Sequence, residues 1–265
     1  MRLRPLASTG LLLSSLGLGT VKFGRNQQVK YPSAFDLPAD SEILELLDLA
    51  RSEGINLLDT APAYGSSEER IGELLGNRRE DWNLMSKAGE TFHEGCSHFD
   101  FSTAAITASL ERTLLRLRTD RVECLLLHSD GNDLEVLNHS GAVDALFALK
   151  SAGKVRAIGI STKTVSGGLR AIELGLDAVM VAYSPWQLEE EPVLDAAIHS
   201  GTGIFLKKAL GSGWFGNGEA PENPVEAAFR HVFAHPATTT AVVGTINPNH
   251  LRANCESLRR IEEIE

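Results

Sequence analysis

A chain of 265 residues, 43% hydrophobic and 23% charged, has the make-up of a globular protein able to bury its core without disulfide or metal staples. Its 25 Lys and Arg against 35 Asp and Glu leave a net charge of −10. No basic run interrupts that balance, which argues against nucleic-acid binding, and no apolar run approaches membrane-spanning length, so no membrane partner is expected.

The opening carries Arg2 and Arg4 ahead of Leu11-Leu12-Leu13. Pro5, Gly10, Ser14 and Ser15 break the continuous apolar core that a secretory leader needs. The segment Leu3–Leu13, with Ser8-Thr9-Gly10 at its middle, reads instead as a β-hairpin. Cys96, Cys124 and Cys255 are odd in number and widely spaced. They read as reduced thiols of a cytoplasmic protein.

Eight short apolar runs follow: Leu16–Thr20, Ile55–Leu58, Asn83–Ser86, Val122–Leu127, Val155–Ile160, Ala178–Ala182, Ile204–Leu206 and Ala241–Val243. Most are continuous rather than alternating, as in parallel strands buried on both faces. Helical patterns lie between them. The clearest has Ile106, Leu110, Leu114 and Leu117 in one stripe, with Arg112, Arg116 and Arg118 displaced from it. A helix-closing glycine precedes a strand at Gly54, Gly153, Gly175 and Gly201. No composition break appears, so residues 1–265 read as one domain. Eight strands alternating with helices in about 250 residues predict an α/β (β/α)8 barrel (TIM barrel) with an N-terminal β-hairpin. A doubly wound open sheet is disfavoured by the strand count and by the lack of a nucleotide fingerprint: Gly17-Leu18-Gly19 has no third glycine.

Functional groups of such barrels stand at the C-terminal ends of strands. The second strand ends in Asp59, and Tyr64 lies in the loop beyond it. Ser66-Ser67-Glu68-Glu69 then reads as a capping box that opens a helix. The third strand ends in Lys87 and the fourth in His128. The four suit proton transfer at a carbonyl. A phenol delivers a proton to a developing alkoxide, and an adjacent ammonium favours its phenolate and so strengthens the acid. A carboxylate keeps that ammonium charged. An imidazole donates a second hydrogen bond to the carbonyl oxygen. Two other readings compete: a Schiff-base lyase using Lys87, and a subunit that binds a cofactor without turnover.

The segment Asp59-Thr60-Ala61-Pro62-Ala63-Tyr64-Gly65-Ser66-Ser67-Glu68, with Ser86-Lys87 and Leu125-Leu126-Leu127-His128, resembles the three signature segments of the aldo-keto reductase superfamily. Leu16–Thr20 resembles its first strand, Gly153–Ser161 its fifth, and Val243-Gly244-Thr245 with Asn254 its closing cofactor segment. The resemblance implies a barrel enzyme that transfers hydride between a nicotinamide, usually NADPH, and a small-molecule carbonyl or alcohol. It assigns Tyr64 as proton donor and Lys87 as the residue that lowers its pKa. Asp59 becomes the partner of Lys87, and His128 the residue that orients the carbonyl. It places cofactor contacts at Gly19, Thr20, Ser161, Thr162, Lys207, Ala209, Leu210, Gly211, Gly213, Gly244, Thr245, His250 and Asn254. Several depart from the family pattern. Thr162 replaces the usual Asn, Met180 a Gln or Glu, Lys207 the Tyr that stacks on the nicotinamide, and His250 an Arg that grips the 2′-phosphate. NADP(H) is expected from the family's habit, with NAD(H) open.

Alternation lets only one of Lys207 and Lys208 face the barrel mouth. His231 and His235 stand four apart but lack the acidic residue of a metalloprotease motif, and Pro236 marks a helix end. Phe23, Tyr31, Trp186 and Trp214 follow strands and are candidates to line a substrate pocket, whereas Trp82 belongs at the opposite face and Cys124 in the core. The loops read as short, so an open pocket with broad selectivity is expected.

Overall fold

The computed structural model describes residues 1–29, 31, 34–213 and 223–264. Strands β1 (Leu3–Leu6) and β2 (Leu11–Ser14) pair antiparallel as the opening hairpin. The chain continues through β3 (Leu16–Gly19), α1 (Val21–Gly24), α2 (Asp40–Ser52), β4 (Leu57–Asp59), α3 (Ser67–Leu75) and β5 (Asn83–Ala88). A second hairpin, β6 (Glu90–His93) and β7 (Cys96–Phe99), leads to α4 (Thr103–Leu117) and β8 (Val122–His128). Then come α5 (Asp133–His139), α6 (Ala142–Ser151), β9 (Val155–Ser161), α7 (Val165–Glu173) and β10 (Ala178–Ala182). The chain closes with α8 (Glu191–Ser200), β11 (Gly203–Lys207), α9 (Pro224–Ala234), β12 (Thr238–Val243) and α10 (Pro248–Ile264).

Strands β3, β4, β5, β8, β9, β10, β11 and β12 close a parallel barrel in that order, so every run read as a barrel strand is one. The glycines that end helices before β4, β9, β10 and β11 take φ of +88°, +75°, +74° and +72°. That left-handed turn reverses the chain within a residue or two, and any side chain there would be strained.

Two packed layers hold the barrel. Outside it, the strand residues that face outward meet the helices; Ile106, Leu110, Leu114 and Leu117 of α4 are all buried there. Inside it, Leu57, Met85, Cys124, Leu126, Ala157, Ala178, Met180 and Phe205 form a separate core together with Leu6, Leu11 and Leu13 of the opening hairpin. The hairpin therefore plugs the barrel floor, and the interior is a packed core rather than a pore. Trp82 is buried just before β5, at the end of the barrel away from the strand tips, and Cys124 is core, as the sequence predicts.

Helices α3 and α4 meet at Gly72. A Cβ there would lie 2.1 Å from the Arg116 carbonyl oxygen and 2.8 Å from the Leu117 Cα. Backbone cannot yield as a flexible side chain does. Gly72→Ala is therefore expected to destabilise the fold by about 1–3 kcal/mol, read as a lower urea midpoint with an unchanged slope.

Candidate active site

The period of two along a strand decides what reaches the barrel mouth. Leu57, Met85 and Leu126 face inward. Two residues further along the same strands stand Asp59, Lys87 and His128. On β11 the inward Phe205 is followed two residues later by Lys207, and on β9 the inward Ala157 is followed four residues later by Ser161. The layer above the apolar core is thus polar, and it lies at the C-terminal ends of the strands.

Lys87 is the hub of that layer. Its side chain is 1% exposed. The Nζ donates to Asp59 Oδ1, to the Thr60 carbonyl at 3.0 Å and to the Tyr64 hydroxyl at 3.0 Å. Burial acts to lower the ammonium's pKa, but the Asp59 carboxylate and Tyr64 outweigh it and hold Lys87 above its ordinary value. Burial likewise raises the Tyr64 phenol, and Lys87 offsets part of that rise. Lys87 thus acts in the expected direction, and burial, the larger effect, leaves the phenol above its ordinary pKa.

The loop carrying Tyr64 is held from beneath. It forms a one-turn 3₁₀ helix over Pro62–Tyr64. Three buried hydroxyls knit it to the barrel: Ser67 Oγ lies 2.8 Å from Thr20 Oγ1, Thr60 Oγ1 donates to Ser67 Oγ at 3.1 Å, and Thr20 Oγ1 donates to the Asp59 carbonyl at 2.9 Å. The capping box read at Ser66 and Glu69 does not form. Ser66 is not extended and its side chain caps nothing, while Glu69 pairs with Arg116 at 2.9 Å. Gly24 and Gly65 pack backbone on backbone, leaving no room for a Cβ at either. Behind the loop, buried Glu68 accepts hydrogen bonds from Ser86 at 2.7 Å and Thr113 at 2.9 Å.

His128 stands edge-on to Tyr64, with ring centroids 6.2 Å apart. Its Nδ1 lies 2.7 Å from Glu90 Oε2, although the contact is off the nitrogen's own axis and is not an aligned hydrogen bond. Burial lowers the imidazole pKa below its ordinary value against the opposing pull of Glu90. Burial alone would raise Glu90, but His128, Ser97 and Arg25 bring it down to about 2. Glu90 is the neighbour of His128 that strand reading misses. It opens the hairpin β6–β7, which also corrects the expectation of uniformly short loops. The hairpin carries one recognisable signal, a two-residue turn at Glu94-Gly95 with φ of +49° and +77°. It is docked rather than free: the Arg25 guanidinium stacks 3.5 Å from the Phe92 ring centroid and donates to the Ala63 carbonyl at 3.0 Å.

A cleft of about 580 Å³ runs from Asp59 and Tyr64 outward across the barrel mouth. Of the predicted cofactor residues it is lined by Gly19, Thr20, Lys207, Ala209, Leu210, Gly213, Gly244, Thr245, His250 and Asn254. Ser161 and Thr162 join it through Lys207, whose Nζ donates to Ser161 Oγ at 2.9 Å and to the Thr162 carbonyl at 2.5 Å. Gly211 sits aside, against Trp186. Lys207 and Lys208 both border the cleft, which corrects the expectation that only one faces the mouth: Lys208 lies just past β11 with φ of +57°, so strand alternation no longer applies to it. Burial lowers the Lys207 ammonium to about 8, with Glu190 opposing and Lys208 adding to the fall. Tyr31 lines the cleft, whereas Phe23 is fully buried in the outer core and is no pocket residue. Trp214 lies outside the described residues.

Lys22, Lys207 and Lys208 border the cleft, and Asp59 is the one acidic residue among its described lining. In a chain of net charge −10 this is a local positive site. Among the described residues no cluster of three potential metal ligands occurs, and no helix is long and apolar enough to cross a membrane.

Known proteins resemble the chain over most of its length. The model of the aldo/keto reductase family matches residues 15–227. A crystal structure of a Pseudomonas aeruginosa protein described as a candidate aldo-keto reductase is 48% identical, with a TM-score of 0.88 over 98% of this chain and 94% of that one. The D-threo-aldose 1-dehydrogenase of a Pseudomonas species is 31% identical over 80% of this chain and 70% of its own length. L-galactose dehydrogenase of Arabidopsis thaliana is 29% identical over 84% of this chain and 69% of its own. An uncharacterized oxidoreductase of Bacillus subtilis is 34% identical, and there the match spans only about half, 49%, of that relative. The holo form of a Bacillus halodurans aldo-keto reductase, 22% identical with a TM-score of 0.82, shares the fold. With its eight-stranded parallel barrel and this match across most of its length, the chain belongs to the aldo/keto reductase family.

Proposed function

We propose that the protein is an NADP(H)-dependent carbonyl reductase, or the corresponding alcohol or sugar dehydrogenase, with Tyr64 as its proton donor. The observation that carries this reading is the buried contact of one ammonium, Lys87, with both the Asp59 carboxylate and the Tyr64 hydroxyl. It sits at the end of a cleft whose cations suit an anionic dinucleotide.

The residues present fit such a cofactor. The cleft, about 580 Å³, is of the size usual for small-molecule and cofactor sites. Gly19 and Gly244 leave backbone open along it, and Lys22 and Lys208 suit phosphate. Lys207, Ser161 and Thr162 would surround the nicotinamide end, and Thr245, His250 and Asn254 the adenosine end. A nicotinamide bound there supplies or accepts the hydride.

The chain's own groups manage the proton. In reduction, the Tyr64 hydroxyl hands its proton to the carbonyl oxygen as negative charge grows there. Lys87 stabilises the phenolate that remains, and Asp59 keeps Lys87 protonated. His128 would donate a hydrogen bond to the same oxygen. The Asp59 contact also argues against Lys87 as a Schiff-base nucleophile, since an amine must shed its proton to attack a carbonyl. The presence of all four groups argues against a subunit that only binds cofactor.

Tyr64→Phe is expected to lower the rate of carbonyl reduction by about 10²–10⁴-fold while leaving NADPH binding intact. Single-turnover NADPH oxidation checks the first part and fluorescence titration the second. An unchanged chemical step would remove Tyr64 from its role. Burial holds Tyr64 in its acid form and Asp59 helps hold Lys87 in its acid form. Reduction needs those acid forms, so their loss at alkaline pH lowers kcat for reduction. Oxidation of the alcohol needs the phenolate and rises over the same range. A pH profile run in both directions tests the sign. In cofactor titrations NADPH is expected to bind more tightly than NADH, and rising salt is expected to narrow the gap.

A further inference from the structure

Glu90 serves no purpose that strand packing explains. It is the first residue of β6, on a hairpin that is otherwise largely exposed. Yet its side chain is only 11% exposed, and it is turned inward to 2.7 Å from His128 Nδ1. Ser97 on the opposite strand donates to its other oxygen at 2.6 Å, which fixes the carboxylate. An acid in water gains nothing from being placed so. Beside an imidazole it sets which form of that imidazole is stable.

We propose that Glu90 is a positioning residue for His128: its carboxylate, set against Nδ1 as a close charge rather than an aligned hydrogen bond, stabilises the imidazolium and leaves Nε2 as the nitrogen that donates to the substrate oxygen. This rests on the carbonyl-reductase reading for the identity of the substrate, but the pairing itself does not. The chemistry follows from the two nitrogens. A neutral imidazole with its proton on Nδ1 presents only a lone pair at Nε2 and cannot donate to a carbonyl. The neutral tautomer with its proton on Nε2 does donate, but it sets the Nδ1 lone pair against the Glu90 carboxylate, so a carboxylate at Nδ1 favours the doubly protonated ring as the Nε2 donor. The charged groups facing His128 are Glu90 from β6, Lys87 from β5 and Lys207 from β11, with the Tyr64 phenol edge-on. Lys87 and Lys207 both disfavour the imidazolium. Glu90 is the group among these that favours it, and burial lowers the imidazole pKa further. The hairpin therefore carries a counter-charge to a mouth otherwise crowded with cations, and the Arg25 to Phe92 stack keeps that hairpin in place.

The test is the titration of His128 followed by NMR on ring-labelled protein, with its resonance assigned by its loss in His128→Asn. Glu90→Gln keeps the side-chain shape and the acceptor for Ser97 but removes the charge. It is expected to move the His128 titration to lower pH and to lower kcat/KM for carbonyl reduction about 10-fold, less than loss of a general acid. NADPH affinity is expected to stay within about twofold, below 0.5 kcal/mol. Glu90→Asp, which restores charge with a shorter reach, is expected to titrate between the two. A His128 titration that is the same in wild type and Glu90→Gln overturns the proposal. So does a titration shift with no change in kcat/KM. If the wild type reduces no carbonyl while the titration shift is present, the carbonyl-reductase reading fails and the Glu90–His128 pairing stands.

Discussion

The ion pair between Lys87 and Asp59 is the constraint that the rest of the site depends on. A lysine 1% exposed would normally shed its proton, because burial penalises the charged form. Here the carboxylate keeps it charged, and the charge is what the neighbouring phenol responds to. The pair needs an unusual placement. Cα of Asp59 is opposite Met85, so Lys87 lies a full strand period further along β5 and reaches back across the strand ends to Asp59 and the Thr60 carbonyl. Removing one partner of such a buried pair costs about 3–5 kcal/mol, since the other is left charged and alone. Chemistry and stability are therefore tied to the same contact.

Around that pair the fold supplies rigidity from below and charge from the sides. The Thr20, Thr60 and Ser67 hydroxyls are fully buried and bond to one another, which binds the ends of β3 and β4 to the start of α3. Tyr64 is carried by a loop with that anchorage on one side and the close approach of Gly24 and Gly65 on the other. From the sides come Lys207, bridging Ser161 and Thr162, and Glu90, facing His128. The mouth is thus an electrostatic balance in which burial acts on Lys87, Tyr64, His128 and Lys207 and a neighbour from another element opposes it in each case.

Much of this was legible in the chain. Continuous apolar runs gave away parallel strands because both faces of each are covered. The four strand-preceding glycines could be read because a left-handed residue at a helix end is a local requirement. Asp59, Lys87 and His128 were visible because a strand's end is marked by the end of its apolar run. The hairpin at Glu90–Phe99 was not, because its strands have no buried face to write an apolar pattern. The Ser66 capping box was misread: the 3₁₀ turn over Pro62–Tyr64 sets the entry angle of α3, and an adjacent serine, Ser67, is drawn into the hydroxyl cluster instead. Phe23 looked like a pocket residue because it follows β3, but α1 turns it into the core.

By itself, the sequence determined the barrel, the residues at its strand ends and the family, since each follows from local periodicity and from motifs read along the chain. Tertiary structure alone decided how those residues act on one another. Closure of the barrel sets the stagger between neighbouring strands, and that stagger puts Lys87 against Asp59 and Tyr64. The docked hairpin puts Glu90 against His128. Burial, a property of the packed whole, then raises the Tyr64 phenol that its neighbouring ammonium alone would lower. Asp59 and Tyr64, five residues apart in the chain, share one ammonium only because that stagger carries Lys87 to both.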